Sequence, residues 1–245
     1  MTDLSVVVPA YNEEAAVERL VLDLERDVVD SYGEVEVIVV DDCSTDATPR
    51  ILDRLAGTRP WLHVVHAERN AGHGPSVVAG LGRAGGAWIF QLDSDGQFVV
   101  AELAHLWARR AEADVVLGVR ARRRDPRHRL ALSAVVARAS SLLAGRRLQD
   151  PNVPFRLFRR EVWLQLRPLI GPTTLAPSIH LAVGAAVRGL RIVEVPVTHL
   201  PREQGASSLR AWRLVAFSAR GLRQLVTFRL ALSNASAPEP LEEPP

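Results

Sequence analysis

Two short apolar runs, Leu4 to Val8 and Val35 to Val40, bracket a segment with helical spacing, and this pattern constrains the fold of the 245-residue chain most. Both runs are rich in Val and Ile and stop at polar turns, as strands buried on both faces do. Between them, Glu13 to Val29 carries Ala16, Leu20, Leu24 and Val28 on one helical face. Strand, helix, strand is the crossover unit of a parallel sheet, and the alternation continues. Thr45-Asp46 can cap a helix. A strand is expected near Leu62 to His66, a helix near Pro75 to Arg83, a strand at Trp88 to Leu92, a helix from Ala101 to Glu112 and a strand from Asp114 to Gly118. Beyond residue 120 come a basic helix around 127–145, a strand near Phe155 to Phe158, a helix starting near 177 and a strand from Arg191 to Val195. The expected class is α/β, with a Rossmann-like, mostly parallel central sheet flanked by helices.

Each early strand ends in a polar cluster: Pro9-Ala10-Tyr11-Asn12, Asp41-Asp42-Cys43-Ser44 and Asp93-Ser94-Asp95. Ligands of open α/β sheets bind outside the carboxyl ends of the strands, so these clusters converge on one site. In Gln91-Leu92-Asp93-Ser94-Asp95-Gly96-Gln97, two carboxylates flank one residue, and an extended loop lets both approach one hard cation. A solvated acidic turn is the alternative reading of that motif taken by itself. The single Cys, at position 43, excludes an internal disulfide framework and a Cys-rich zinc site. The seven His show no metal-site spacing, and His63 and His66 point to opposite faces of a strand, so they read as structural or surface residues.

Charge divides the chain. Residues 1–119 hold 9 Arg against 20 Asp and Glu, residues 120–235 hold 21 Arg against 5 acids, and Lys is absent throughout. An acidic half followed by a basic half suggests two electrostatic tasks. A nucleic-acid-binding or scaffold protein would use such a basic half, but the 5% aromatic content and the lack of any recognisable module argue against nucleic acid as a partner. The uncharged stretch between Arg167 and Arg188 contains Pro168, Pro172 and Pro177, which fits loop and buried helix better than a membrane span. The N-terminus shows no secretory pattern, so the expected location is cytoplasmic, including the inner face of a membrane.

Val6-Val7-Val8-Pro9-Ala10-Tyr11-Asn12-Glu13-Glu14, Val39-Val40-Asp41-Asp42, Asn70-Ala71-Gly72-His73-Gly74 and Asp93-Ser94-Asp95 occur in an order and spacing that resemble family 2 glycosyltransferases of the GT-A fold. Within that family the chain looks most like polyprenyl- and dolichyl-phosphate sugar synthases, over roughly residues 4–210. The resemblance implies that Pro9, Ala10, Tyr11 and Glu13 line the nucleoside of a UDP- or GDP-sugar, and that Asp42 accepts from the base. It implies that Asp93, Asp95 and Gln97 hold Mg2+ or Mn2+ on the diphosphate. Arg120, Arg129 and Ser133, with Arg202, match positions that contact the acceptor phosphate. Asp95, Arg120, Arg129 and Ser133 are thus the expected catalytic set.

A Glu-Asp base and a Gln-x-x-Arg-Trp motif, usual where a sugar hydroxyl is the acceptor, are both missing. A hydroxyl needs a base and an anionic phosphate does not, which favours a phosphate acceptor; the resemblance implies that this phosphate is a polyprenyl phosphate and that the transfer is inverting. Two segments depart from the family pattern. Asp150-Pro151-Asn152-Val153-Pro154-Phe155-Arg156 replaces Asp-x-x-Ser-Gly-Phe, and the late Lys is Ser208. These changes keep a soluble or hydroxyl acceptor as the rival within the family.

The expected organisation is a glycosyltransferase domain over 1–206, divided into a nucleotide-sugar half (1–119) and an acceptor half (120–206), an amphipathic helical region over 207–234 and a disordered tail over 235–245. In the helical region Leu214, Leu222, Leu225, Val226, Phe228 and Leu232 share one arc, opposite Arg213, Arg220 and Arg223. Such a helix either lies peripherally in a membrane interface or packs on the catalytic domain, and a membrane-protein partner is compatible with both.

Overall fold

The computed structural model describes residues 2–121, 127–201 and 211–235, with only the helical backbone over 127–129 and 211–217. Seven strands, β1 (Leu4–Ala10), β2 (Val35–Asp41), β3 (Leu62–His66), β4 (Trp88–Leu92), β5 (Val115–Ala121), β6 (Phe155–Arg159) and β7 (Ile192–Thr198), form one sheet in the order β3-β2-β1-β4-β6-β5-β7. Every pairing is parallel except those of β6, which runs antiparallel between β4 and β5. β1 is buried along its whole length, and each of Val6, Val7 and Val8 contributes ~1.5–3 kcal/mol relative to an exposed side chain.

The helices are α1 (Val17–Leu24), α2 (Thr48–Ala56), α3 (His73–Leu81), α4 (Leu103–Trp107), α5 (Arg127–Ala144), α6 (Arg160–Leu166), α7 (Pro177–Val187) and α8 (Ala211–Asn234). The helix expected over Glu13 to Val29 starts only at Val17 and ends in a wider π turn over Glu25–Val29. Its first residues are diverted, because the Glu13 and Glu14 N–H groups donate to Thr48 Oγ1 and Asp46 Oδ2, at 2.9 and 3.1 Å. The helix expected over Ala101 to Glu112 is broken into a 3-10 turn at Val100–Glu102, α4 and a second 3-10 turn at Arg110–Glu112. Its buried residues Val100, Leu103 and Leu106 recur every three positions, a spacing that suits the tighter helix.

α6 was not anticipated. It follows β6 directly and buries Val162, Trp163 and Leu166. The described part of α8 packs on the domain: Leu225, Phe228 and Leu232 are buried, and Phe228 meets the His180 ring of α7 at 4.9 Å between centroids. Leu222 and Val226, expected on the same apolar arc, are exposed. Gln224 Oε1 accepts from the Leu175 N–H at 2.9 Å, and Arg229 Nε donates to the Leu143 carbonyl at 2.9 Å. The expected tail lies, apart from Ala235, outside the described residues.

Candidate active site

The carboxyl ends of β1 and β2 are tied together before any ligand is considered. The Asn12 N–H donates to Ser44 Oγ, the Thr45 N–H to Asn12 Oδ1 and the Ala47 N–H to Glu14 Oε2, all within 2.9 Å. Asn12 and Cys43 turn the chain with φ of 54° and 60°. Asn tolerates that left-handed conformation, whereas Cys adopts it at a cost. The interlock leaves Pro9 and Ala10 buried, Glu13 half-buried and Tyr11 exposed at the rim.

Two buried carboxylates sit under this rim. Asp41 accepts from the Ser44 N–H at 3.1 Å and pairs with His66 Nδ1 at 2.9 Å, while His66 Nε2 reaches Asp53 at 3.0 Å. Asp42 accepts from the Ala71 and Gly72 N–H groups, each at 2.8 Å. It thereby fixes the loop leading into α3. Gly72 has φ of 95°, and a Cβ on Gly74 would lie 2.2 Å from the Thr174 carbonyl oxygen, so both positions require glycine.

That loop delivers His73, a residue sequence reasoning left among the structural histidines. Its Nε2 lies 2.9 Å from Asp93 Oδ1. Burial alone would lower the imidazole pKa, but the charges of Asp93, Asp95 and Asp42 and the hydrogen bond to Asp93 raise it above its ordinary value. Past β4, Asp95 Oδ1 accepts from the Gln97 N–H at 3.1 Å, and Gln97 Nε2 donates to the Leu200 carbonyl at 3.1 Å. Glu13, Asp95 and Gly96 border a cleft of about 300 Å³ that also touches α1 and Phe98. Among the described residues, no three His, Cys, Asp or Glu side chains form a metal cluster. Two carboxylates and an amide oxygen are nonetheless the hard donor set that Mg2+ or Mn2+ takes when substrate phosphate and water complete its shell.

On the other side of β6 stands Arg120, near the end of β5. Its Nε and Nη2 engage both oxygens of Asp150 at 2.7 and 2.8 Å, a bidentate and mostly buried pair. Between them and Asp93 lies Arg156, fully buried in β6, opposite Gln91 of β4 and Leu117 of β5. Its guanidinium donates to the carbonyls of Val153, Pro151 and Ser178. Burial pulls its pKa down to about 9, opposed first by Asp150 and then by Asp93. The altered 150–156 segment thus supplies both the partner of Arg120 and a buried cation. No motif in the sequence marks Arg156 for a role, because its partners are backbone carbonyls.

The remaining expected residues are less fully placed. Ser133 is half-buried on α5. The Arg129 side chain and all of Arg202 lie outside the described residues, as does Ser208.

The sequence profile of Glycosyl transferase family 2 matches residues 5–165. The chain is 34% identical over 215 residues to a polyprenol monophosphomannose synthase of Mycolicibacterium smegmatis, covering 83% of this chain and 80% of that protein. It is 30% identical over 215 residues to an undecaprenyl-phosphate 4-deoxy-4-formamido-L-arabinose transferase of Klebsiella pneumoniae, covering 86% of this chain and 64% of the relative. Among solved structures, the glucosyl-3-phosphoglycerate synthase of Mycobacterium tuberculosis with phosphoglyceric acid shares the fold, with a TM-score of 0.68 and 21% identity over 93% of this chain and 80% of that one. The same enzyme with Mn2+, UDP and glucosyl-3-phosphoglycerate gives a TM-score of 0.64 at 21% identity, with the same coverage of both chains.

Proposed function

The chain belongs to glycosyl transferase family 2 and has the GT-A fold, and from that premise we propose that it transfers a sugar from a UDP- or GDP-sugar to a polyprenyl phosphate, with inversion. One of these relatives is by name a polyprenol monophosphomannose synthase and the other an undecaprenyl-phosphate 4-deoxy-4-formamido-L-arabinose transferase, which supports a lipid-phosphate acceptor and work at a membrane face. Pro9, Ala10, Tyr11, Glu13 and Asp42 form the nucleoside side of the site. Asp93, Asp95 and Gln97 would hold Mg2+ or Mn2+, which offsets the negative charge gathering on the departing nucleoside diphosphate. Arg120, Arg129, Ser133 and Arg202 would orient the acceptor phosphate. Its anionic oxygen forms the new bond to the anomeric carbon, on the side opposite the diphosphate, as the old glycosidic bond breaks. No base is needed, so positioning and electrostatics carry the rate.

One observation carries this reading. The Asp93-Ser94-Asp95 loop and the Arg120–Asp150 pair lie at the same end of the strands, the carboxyl ends of β4 and β5, separated only by β6. Two strand spacings place them ~10 Å apart, room for an anomeric carbon between a diphosphate and an acceptor phosphate. The test is to incubate the protein with labelled UDP- and GDP-sugars, Mn2+ or Mg2+ and polyprenyl phosphate, and to partition the products. Label in the organic phase supports the proposal. Label that stays in the aqueous phase, as intact nucleotide sugar or free sugar, would overturn it.

A further inference from the structure

Five of the nine large apolar side chains exposed among the described residues belong to just two helices. On α5, Val135 and Leu142 are 60% and 82% exposed and stand two turns apart on one side. On α8, Leu222, Val226 and Leu230 are 44%, 41% and 62% exposed and form a stripe at four-residue steps. The opposite sides of both helices do the packing, through Ser140 and Ala144 on α5 and through Leu225, Phe228 and Leu232 on α8. The stripes adjoin, because Arg229, the neighbour of Leu230, donates to the carbonyl of Leu143, the neighbour of Leu142.

Charge identifies what such a face would meet. Neither helix contains an Asp or Glu. Arg138 on α5, Arg220 and Arg223 on α8, and Arg146 and Arg147 just beyond α5 are all exposed. An apolar stripe among cations of one sign complements a surface that is uniformly anionic with an apolar interior. A second copy of the chain fits poorly, since a two-fold contact would set arginines against arginines. Among the described residues no helix is long and apolar enough to cross a membrane.

We propose that the α5–α8 face docks on the surface of a bilayer containing anionic lipid, with Leu142 and Leu230 entering the headgroup region and the arginines meeting lipid phosphates. Its use in catalysis rests on the lipid-acceptor reading: Ser133, one of the expected acceptor residues, precedes buried Ser140 by two turns on the inward side of α5. Docking itself needs no acceptor.

The test is sedimentation with vesicles of phosphatidylcholine alone or mixed with phosphatidylglycerol, without donor or acceptor. The wild type is expected to sediment with the mixed vesicles, less so as salt rises. The Leu142→Glu/Leu230→Glu variant should lose partitioning on the order of tenfold or more, while its melting temperature and its transfer to a short-chain, water-soluble polyprenyl phosphate analogue stay unchanged. Wild type that stays in solution with both vesicles, or a variant that sediments like wild type, overturns the proposal. So does a wild-type dimer that the variant abolishes in the absence of vesicle binding, which would make a second copy the occupant. If vesicle binding holds but no lipid analogue accepts sugar, the acceptor reading fails and the docking surface stands.

Discussion

His73 Nε2 lies 2.9 Å from Asp93 Oδ1, so a histidine at the start of α3 holds a carboxylate proposed to bind the divalent cation. The imidazole is half-exposed and its pKa is raised, with the Asp93 charge and hydrogen bond overcoming the effect of burial. The imidazole competes with a cation for the negative charge on that oxygen, and its raised pKa favours the protonated, like-charged form. His73→Ala should therefore tighten Mn2+ binding by up to about fivefold, corresponding to ~1 kcal/mol for a solvent-exposed pair. Titration calorimetry of the nucleotide-bound protein reads this directly. Weaker Mn2+ binding in the variant would instead make His73 a ligand of the metal.

Asp150 governs two guanidinium groups at once. It pairs with Arg120 through both oxygens, and its charge is the first of the two that oppose the burial of Arg156. Asp150→Ala would leave both cations short of a counter-charge, at a cost of ~3 kcal/mol by analogy with broken buried pairs. Chemical denaturation should show that loss. The KM for the acceptor should rise more than the KM for the nucleotide sugar, since the pair lies on the β5 side of β6. A rise confined to the donor would contradict the placement.

The parallel core was readable because apolar runs end where polar clusters begin, and that pattern survives in β1, β2 and β4. The direction of β6 was not, since a buried strand carries the same residues whether it runs parallel or antiparallel. The same limit applied to α8. A helical wheel grouped Leu222 and Val226 with Leu225 and Phe228, but only the last two are covered by the domain. His73 carried no spacing signal; its role appears only once Asp42 has pinned the Ala71-Gly72 backbone in front of Asp93. Arg156 was hidden for a related reason, because its partners are backbone carbonyls that no sequence motif records.

Cys43 stands at the end of β2 with φ of 60°. A non-glycine residue there carries ~1–2 kcal/mol of left-handed strain, and glycine removes it while losing ~0.4–1 kcal/mol through a looser unfolded chain. Cys43→Gly should therefore stabilise the protein by about 0.5–1 kcal/mol, visible as a higher denaturant midpoint at unchanged slope. Destabilisation would mean that the thiol packing near the Glu68 carbonyl outweighs the strain.

His66 links β3 to two acids, Asp41 at 2.9 Å and Asp53 at 3.0 Å. The hydrogen bond to Asp41, followed by that to Asp53, raises its pKa above the ordinary value despite some burial. A group whose pKa is raised on folding stabilises the protein fully below its unfolded value, ~6.5 for histidine, and loses that contribution as pH rises through the folded value. Asp46 behaves oppositely. Burial alone would raise its pKa, but hydrogen bonds from Thr48 and Glu14 lower it, so its contribution is held above ~3.9 and lost in acid. The melting temperature should therefore fall as pH rises above ~6.5, and His66→Gln should flatten that decline while leaving the acid limb intact. Scanning fluorimetry across this range decides it. Identical alkaline slopes in wild type and variant would show that the His66 pair contributes nothing to folding.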